Sequence, residues 1–338
     1  MGPHPAVAAV RQAVRRALAP FAPGELILAA CSGGGDSLAL AAALAFEAPR
    51  LGLRGGGVTV DHGLQPGSAE QAEQVAANLT SLGLDPVTAV RVTVAGPGGR
   101  RYPGPEAAAR AARYAALDQV ADSCAAAALL LGHTMDDQAE TVLLGLARGS
   151  GARSLAGMAP RSGRYLRPLL GLRRAQTGAA CAALGLRPWQ DPQNDDPAYA
   201  RVRVRTRLMP ALSETLGPGA VEALARTARL LRDDADLLDQ LADAETERIR
   251  GAGCALPAGE LAGLPDALRR RVLRRAALAA GCPAGSLTEH HVSEMEALVC
   301  GWHGQRWTDL PGQVRCQRRY GRLLFTAAGR SEGQRAGD

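Results

Sequence analysis

The order of apolar and helical segments constrains the fold most strongly. Short apolar runs at residues 26–31, 58–61, 90–94 and 127–131 alternate with alanine-rich helical stretches at about 36–46, 69–82 and 105–122. The runs are apolar on both faces, which is typical of parallel strands covered by helices on both sides. The alternation predicts an α/β fold with a doubly wound parallel sheet. Ligands of such sheets bind at the carboxyl ends of the strands.

The pattern changes near Pro210. Residues 218–250 predict one long amphipathic helix, 264–280 and 288–300 predict two more, and 306–326 predict short strands around Pro311-Gly312. We therefore predict a first domain over 1–214, a second, mainly helical domain over 215–328 and a disordered tail over 329–338.

The charge and cysteine content narrow the class of protein. The net charge is +6, and all 39 basic residues are arginine, with dense segments at 201–207, 269–275 and 315–322 that favour RNA as a partner. The seven cysteines form no C-x-x-C pair, which argues against disulfide scaffolds and metal clusters and indicates a reducing cytoplasm. No apolar run is long enough to span a membrane, and we find no signal peptide.

A glycine loop directly follows the first predicted strand and opens a helix. Its residues are Ser32, Gly33, Gly34, Gly35, Asp36 and Ser37. Glycines let backbone N–H groups form an anion-binding nest, and a helix N-terminus adds partial positive charge. Asp36 would repel a phosphate unless a Mg²⁺ ion lies between them. The alternative is an ordinary strand–helix turn with a serine cap.

A second polar group follows the fourth strand. If a helix starts there, His133, Asp137 and Glu140 line one stripe, and Asp136 lies four residues before Glu140. Like charges so placed repel unless a cation lies among them, such as a metal ion or a substrate amine. A capping box from Thr134 to Asp137 is the alternative for Asp137 alone.

Arginines supply further candidates. Glu106, Arg110 and Arg113 share one face of a predicted helix. The alternating arginines at 201, 203, 205 and 207 would share one face of a strand or crowd a helix start. Both groups suit phosphate contacts, and a surface ion pair and a solvated basic face are the alternatives.

Together these segments resemble the tRNA(Ile)-lysidine synthetase family of the PP-loop ATP pyrophosphatase superfamily. The resemblance rests on the glycine loop, Val60-Asp61-His62-Gly63-Leu64, the helix with Arg113, residues 132–141, and the segment from Asp191 and Asn194 to Arg205. It covers residues 25–212 closely. It implies a Rossmann-like PP-loop catalytic domain and a tRNA-binding second domain.

The resemblance also implies a reaction and residue roles. The family joins free L-lysine to C2 of the wobble cytidine of tRNA(Ile) with a CAU anticodon, through an adenylated intermediate. Ser32 to Ser37 would bind ATP, Asp36 and Asp137 would hold Mg²⁺, and Asp137 and Glu140 would bind lysine. Arg113, His133 and Arg205 would surround the cytidine and its adenylate. The sequence leaves open whether the protein forms a homodimer.

Three other functions remain as alternatives. One is sulfur transfer to tRNA cytidine on the same fold, which typically relies on the cysteine pairs that this chain lacks. The second is a small-molecule amidating synthetase, and the third is a nucleotide-binding module that senses ATP. Pyrophosphate release that depends on both tRNA and lysine would separate all four hypotheses.

Overall fold

The computed structural model describes the chain in two compact units. The described residues are 2–61, 63, 67–92, 105–149, 151–190, 196–250, 255–304 and 306–327. The first unit extends to Arg232 and the second begins at Asp233. The predicted tail over 329–338 lies outside the described residues. Within the described residues, no helix is long and apolar enough to cross a membrane.

The first unit contains a six-stranded sheet. Its strands are β1 (Leu26–Ala30), β2 (Arg54–Asp61), β3 (Val87–Arg91), β4 (Ala128–Leu131), β5 (Arg161–Ser162) and β6 (Tyr165–Leu166), in the order β3-β2-β1-β4-β6-β5. All neighbouring strands are parallel except β5 and β6. The doubly wound parallel sheet is therefore confirmed.

Helices cover both faces of this sheet. They are α1 (Pro5–Leu18), α2 (Gly35–Glu47), α3 (Ser68–Ser81), α4 (Pro105–Ser123), α5 (Met135–Ala147), α6 (Ala152–Leu155), α7 (Arg174–Ala183), α8 (Ala200–Arg203) and α9 (Met209–Leu216). In β1, Ile27 and Ala29 belong to a core with α1, α2 and α7, whereas Leu26 and Leu28 belong to a core with α4. This alternation explains why the strand is apolar on both faces.

The second unit has its own core and sheet. The helix α10 (Ala220–Arg250) extends into it and is followed by α11 (Ala258–Gly263), α12 (Asp266–Ala279) and α13 (Glu289–Cys300). The strands β7 (Leu256–Pro257), β8 (Trp307–Leu310), β9 (Val314–Arg319) and β10 (Arg322–Ala327) form an antiparallel sheet in the order β7-β10-β9-β8. The predicted helices and the strands around Pro311-Gly312 are confirmed.

The arginines of α12 are engaged within the second unit. Arg269 is buried and donates to Glu296 at 2.9 Å, and Arg270 donates to the same carboxylate at 2.8 Å. Arg271 donates to Asp239 at 3.1 Å. These internal ion pairs neutralise part of the charge of the segment, so its arginine content is weaker evidence for RNA than the sequence suggested.

Candidate active site

The sheet order creates a crevice between β1 and β4. The sheet continues from β1 through β2 on one side and through β4 on the other. Ligands of open α/β sheets bind at such a switch point, outside the carboxyl ends of the strands. Gly132 follows β4, and a Cβ atom there would lie 2.9 Å from the Cα and N atoms of Ser37. Glycine therefore allows the two loops to approach each other.

The glycine loop is shaped by its own serines. The Ser37 hydroxyl donates to the carbonyl of Gly34 at 2.9 Å and accepts from the N–H of Ser32 at 3.2 Å. Gly33 has a φ of +85°, in the left-handed region that favours glycine. Gly34 caps α2 without a side-chain hydrogen bond, so no cap side chain satisfies the first amides of the helix. Such amides attract anions, and the loop suits phosphate.

Asp36, in the first turn of α2, is held by two side chains of α7. Thr177 donates its hydroxyl to one carboxylate oxygen, and Arg174 donates Nε to the other at 3.3 Å. Burial raises the pKa of Asp36, and the charge of Asp137 raises it as well, against the opposing effects of Thr177 and Arg174. Two carboxylates are therefore close together in a partly desolvated place, which favours a bound cation.

The two carboxylate oxygens of Asp137 make different contacts. Oδ2 accepts from the N–H of Thr134 at 2.8 Å and completes a capping box at the start of α5. Oδ1 accepts from Arg174 Nη2 at 2.8 Å. Burial opposes ionisation, but Arg174 and the hydrogen bonds from Thr134 hold the pKa of Asp137 below its usual value. The capping box is confirmed, and the second oxygen, which takes no part in the cap, contacts Arg174.

Glu140 is almost completely buried, with 1% of its surface exposed. Arg205 binds both carboxylate oxygens, through Nε at 2.8 Å and Nη2 at 3.2 Å, and Arg174 donates Nη1 at 3.4 Å. Arg205 lies in a π-helical turn over 204–208, a type of turn that is frequent at functional sites. Asp36, Asp137 and Glu140 are called the acidic cluster below.

Asp136 is directed to a different arginine. Arg173 donates to its carboxylate through Nε at 3.2 Å, and the backbone N–H of Arg174 donates to it at 2.8 Å. Arg173 also donates Nη1 to Glu222 at 2.6 Å. Asp136 therefore fixes the start of α7, and with it the position from which Arg174 reaches the acidic cluster.

His133 is a neutral imidazole at physiological pH. Burial is the largest cause that lowers its pKa to about 4, and Arg167, Arg110 and Arg201 add to it, while Asp137 opposes them. Within the described residues its buried Nδ1 has no hydrogen-bond partner. A neutral imidazole with an open nitrogen suits hydrogen bonding to a base or to an amine rather than charge pairing.

A cavity of about 210 Å³ lies beside the acidic cluster. Its lining combines two carboxylates, three arginines and a largely apolar wall, namely Asp136, Glu140, Arg173, Arg174, Arg205, Met209, Pro210, Ser213 and Val221. Carboxylates suit an ammonium group, arginines suit a carboxylate, and the wall suits an aliphatic stem. The cavity therefore offers groups of both charges beside an apolar wall.

Metal binding by protein ligands alone is not supported in the described part of the chain. No group of three or more His, Cys, Asp or Glu side chains there is arranged to hold a metal ion. Mg²⁺ usually binds through one or two carboxylates together with substrate phosphates. Asp36 and Asp137 both contact the guanidinium of Arg174, so they are close enough to fit that kind of site.

Comparison with known proteins identifies the family. The PP-loop domain family matches residues 7–212, and the TilS substrate binding domain family matches residues 256–324. The tRNA(Ile)-lysidine synthase of Thermobifida fusca is 61% identical, over 96% of this chain and 99% of the relative. The chain belongs to the tRNA(Ile)-lysidine synthase family.

A second relative agrees with this assignment, and a solved structure supports the fold. The tRNA(Ile)-lysidine synthase of Streptomyces coelicolor is 55% identical, over 96% of this chain and 99% of the relative. Among solved structures, a U34-tRNA thiolase of Methanococcus maripaludis with its 4Fe-4S cluster has a TM-score of 0.56 at 18% identity. That match covers 67% of this chain and 80% of the thiolase chain, and it supports the fold alone.

Most of the site residues predicted from the sequence lie together at the crevice. Contacts or electrostatic coupling join Asp36, Asp137, Glu140, Arg205 and His133. Arg113 lies on α4, where desolvation and the charge of Arg110 lower its pKa. The described residues exclude His62, Leu64, Asp191, Asn194, Asp195 and the side chain of Glu106, so the predictions for them stay predictions.

Of the two arrangements predicted for the alternating arginines, the helical one is confirmed: residues 200–208 are helical, and Arg201 and Arg205, one turn apart, contact Glu140. One expectation needs correction. The sequence predicts a metal ion or a substrate amine as the cation among Asp136, Asp137 and Glu140. In the structure the cations there are the chain's own arginines, namely Arg173, Arg174 and Arg205.

Sequence reasoning missed Arg173, Arg174 and Thr177. They lie far along the chain from their partners, and nothing in their spacing connects them to the glycine loop. One general signal was available, since buried carboxylates need compensating cations and a chain without lysine must supply them from arginine.

Proposed function

We propose that the chain ligates free L-lysine to C2 of the wobble cytidine of tRNA(Ile) with a CAU anticodon, using ATP, and so forms lysidine. The relatives named tRNA(Ile)-lysidine synthase support this proposal over nearly their whole length. The observation that carries it is the meeting of a phosphate-binding loop with the acidic cluster beside a cavity suited to an amino acid.

The first step activates the cytidine. Its O2 atom attacks the α-phosphate of ATP, the bond to the β-phosphate breaks, and pyrophosphate leaves. A carbonyl oxygen is a very poor leaving group, whereas the resulting AMP ester is a good one. The glycine loop would hold the phosphates through the amides that begin α2. When Mg²⁺ is bound, held by Asp36 and Asp137, it would neutralise phosphate charge.

The second step forms the new bond. The lysine amine, in its neutral form, attacks C2 of the adenylated cytidine, AMP leaves with the former O2 atom, and the attacking nitrogen releases a proton. Asp137 and Glu140 would bind an ammonium group, and Arg173 or Arg205 would bind the carboxylate of the amino acid. His133 is neutral and surrounded by cations, so it would orient the base or the amine by hydrogen bonding.

The second unit would contact tRNA through its sheet. Trp302, Trp307 and Tyr320 are exposed, and each has an arginine against its ring. Exposed aromatic rings with adjacent guanidinium groups suit the stacking of unpaired bases together with phosphate contacts. We also propose a reducing compartment such as the cytoplasm, because the six cysteines in the described ranges are free.

One assay tests the whole proposal. The protein is incubated with ATP, Mg²⁺, radiolabelled lysine and transcripts of tRNA(Ile) with the CAU anticodon, and label in the tRNA is counted. Transcripts with the anticodon C34 replaced by U are the control. We expect label and AMP only with the first transcript and with all components present. Release of AMP without lysine incorporation, or label in the control tRNA, would contradict the proposal.

A further inference from the structure

Arg174 bridges the entire acidic cluster with one guanidinium group. Its Nε donates to Asp36 at 3.3 Å, its Nη2 to Asp137 at 2.8 Å and its Nη1 to Glu140 at 3.4 Å. Each nitrogen therefore contacts a different carboxylate, one from α2 and two from α5. A lysine side chain at position 174 could not make all three contacts, since its ammonium group is a point charge without the planar fork of a guanidinium.

The position of Arg174 conflicts with the ligands assigned to the same carboxylates. The proposed function places Mg²⁺ at Asp36 and Asp137, and the substrate ammonium at Asp137 and Glu140. Asp137 directs only Oδ1 to the cluster, because Oδ2 is engaged in the capping box. A second cation at Oδ1 must share it with Arg174 or displace Arg174.

The side chain of Arg174 can move away from the acidic cluster. The backbone of Arg174 is fixed by its hydrogen bond to Asp136, but the side chain is 31% exposed. Asp36, one of its three partners, lies in the first turn of the helix that the glycine loop opens. Phosphates bound at that loop would lie next to the guanidinium, which is well suited to bind phosphate.

We infer that Arg174 is an exchangeable counter-cation that couples the binding of ATP to the binding of lysine. Without nucleotide, Arg174 neutralises the acidic cluster and competes with the substrate ammonium. Phosphates at the glycine loop attract the guanidinium, and its place at Asp137 and Glu140 becomes available to lysine, while Arg205 stays bound to Glu140. This inference rests on the proposed function and adds an order of binding to it, with nucleotide before amino acid.

Calorimetric titration with lysine, in the absence of tRNA, tests this coupling without turnover. The nucleotide is an ATP analogue with a methylene bridge between the α- and β-phosphates, used at saturation with Mg²⁺. For the wild type we expect the analogue to tighten lysine binding about 10-fold, within the usual range of coupling between sites. Arg174→Met keeps the apolar stem and removes the charge. We expect it to bind lysine about 10-fold more tightly without nucleotide, and the analogue to add little.

The controls separate the inference from the proposed function. Arg164→Met removes an arginine that pairs with Asp118 and Asp122 on the same unit, and we expect wild-type coupling. Arg174→Lys retains a charge at the cluster, and we expect it to keep part of the coupling; circular dichroism checks that each variant is folded. If both Arg174 variants couple nucleotide and lysine as the wild type does, or if Arg174→Met binds lysine more weakly, the inference is wrong. The proposed function fails separately, if the wild type binds no lysine under any condition.

Discussion

Replacing Glu140 by glutamine tests the lysine-binding assignment most directly. The substitution preserves size and one acceptor oxygen but removes the negative charge from a side chain that is 1% exposed. Lysine would lose a charge-assisted hydrogen bond, which contributes ~1.5–3 kcal/mol. That energy corresponds to an increase in the lysine KM of about 10- to 100-fold.

The same contacts predict a loss of stability. Arg205 binds both oxygens of Glu140, at 2.8 and 3.2 Å, and Arg174 adds a contact at 3.4 Å. In Glu140→Gln an amide N–H₂ group faces one of these guanidinium groups, which leaves a partly buried cation without its acceptor. We expect the free energy of unfolding to fall by about 1–3 kcal/mol, measured by urea denaturation.

The assay separates the two half-reactions. Pyrophosphate release with tRNA and ATP reports adenylation, and lysine-dependent AMP release reports ligation. Glu47→Gln is the matched control, since it removes the same charge from a fully buried carboxylate that pairs with Arg15 outside the acidic cluster. We expect Glu140→Gln to adenylate tRNA but to need far more lysine. An unchanged lysine KM would refute the binding role, and complete loss of adenylation would make Glu140 part of the phosphate or metal site.

Four further predictions follow from single contacts. Asp36→Ala should abolish pyrophosphate release while circular dichroism stays unchanged, because its carboxylate is needed beside the phosphates; wild-type release would contradict this. Gly132→Ala should reduce kcat severely, since its Cβ would lie 2.9 Å from the backbone of Ser37; a normal kcat would show that the two loops can separate without cost. Cys31→Ser should keep much of the activity, as burial raises the pKa of this thiol and leaves it unreactive; an iron–sulfur chromophore in protein purified without oxygen would overturn that expectation. Folding lowers the pKa of His133 from 6.5 to about 4, so the contribution of the neutral side chain to stability is complete above pH 6.5 and is lost as the pH falls towards 4. His133→Asn should therefore flatten the pH dependence of the free energy of unfolding between pH 6.5 and 4. An unchanged pH dependence would refute the lowered pKa of His133.

The fold could be predicted from the sequence because its signals are local. The run at residues 26–31 is short, apolar and followed by glycines, and it forms β1 over Leu26–Ala30. The long acidic and apolar pattern over 218–250 forms α10 over Ala220–Arg250. The sequence predicts the third strand at 90–94, of which 93 and 94 lie outside the described residues, and β3 lies at Val87–Arg91, where it pairs in register with β2 from Gly57 to Asp61. Register depends on the neighbouring strand, so the sequence of one strand alone does not determine it.

The candidate site could be predicted only in part, because half of its charges come from distant segments. The sequence indicated Asp36, Asp137 and Glu140, since each follows a strand within a recognisable motif. It did not indicate Arg174, whose three partners lie 34, 37 and 138 residues away along the chain. Tertiary packing determines which side chain neutralises a buried cluster, and the periodicity of the sequence does not indicate it.

Asp137 shows why a structural and a chemical interpretation of one residue need not exclude each other. A capping box needs a single oxygen that accepts from the N-cap amide, and Oδ2 provides it at 2.8 Å. Capping also fixes the rotamer of the side chain, because the carboxylate must reach back over the first turn of α5. With Oδ2 engaged, Oδ1 has a defined direction, and it meets Arg174 at 2.8 Å. The capping box therefore positions Oδ1, the oxygen of Asp137 that contacts Arg174 in the acidic cluster. It follows that Asp137→Asn should disturb both the start of α5 and the cluster, whereas Thr134→Val, which removes only the hydroxyl partner of the cap, should act on catalysis by loosening Asp137.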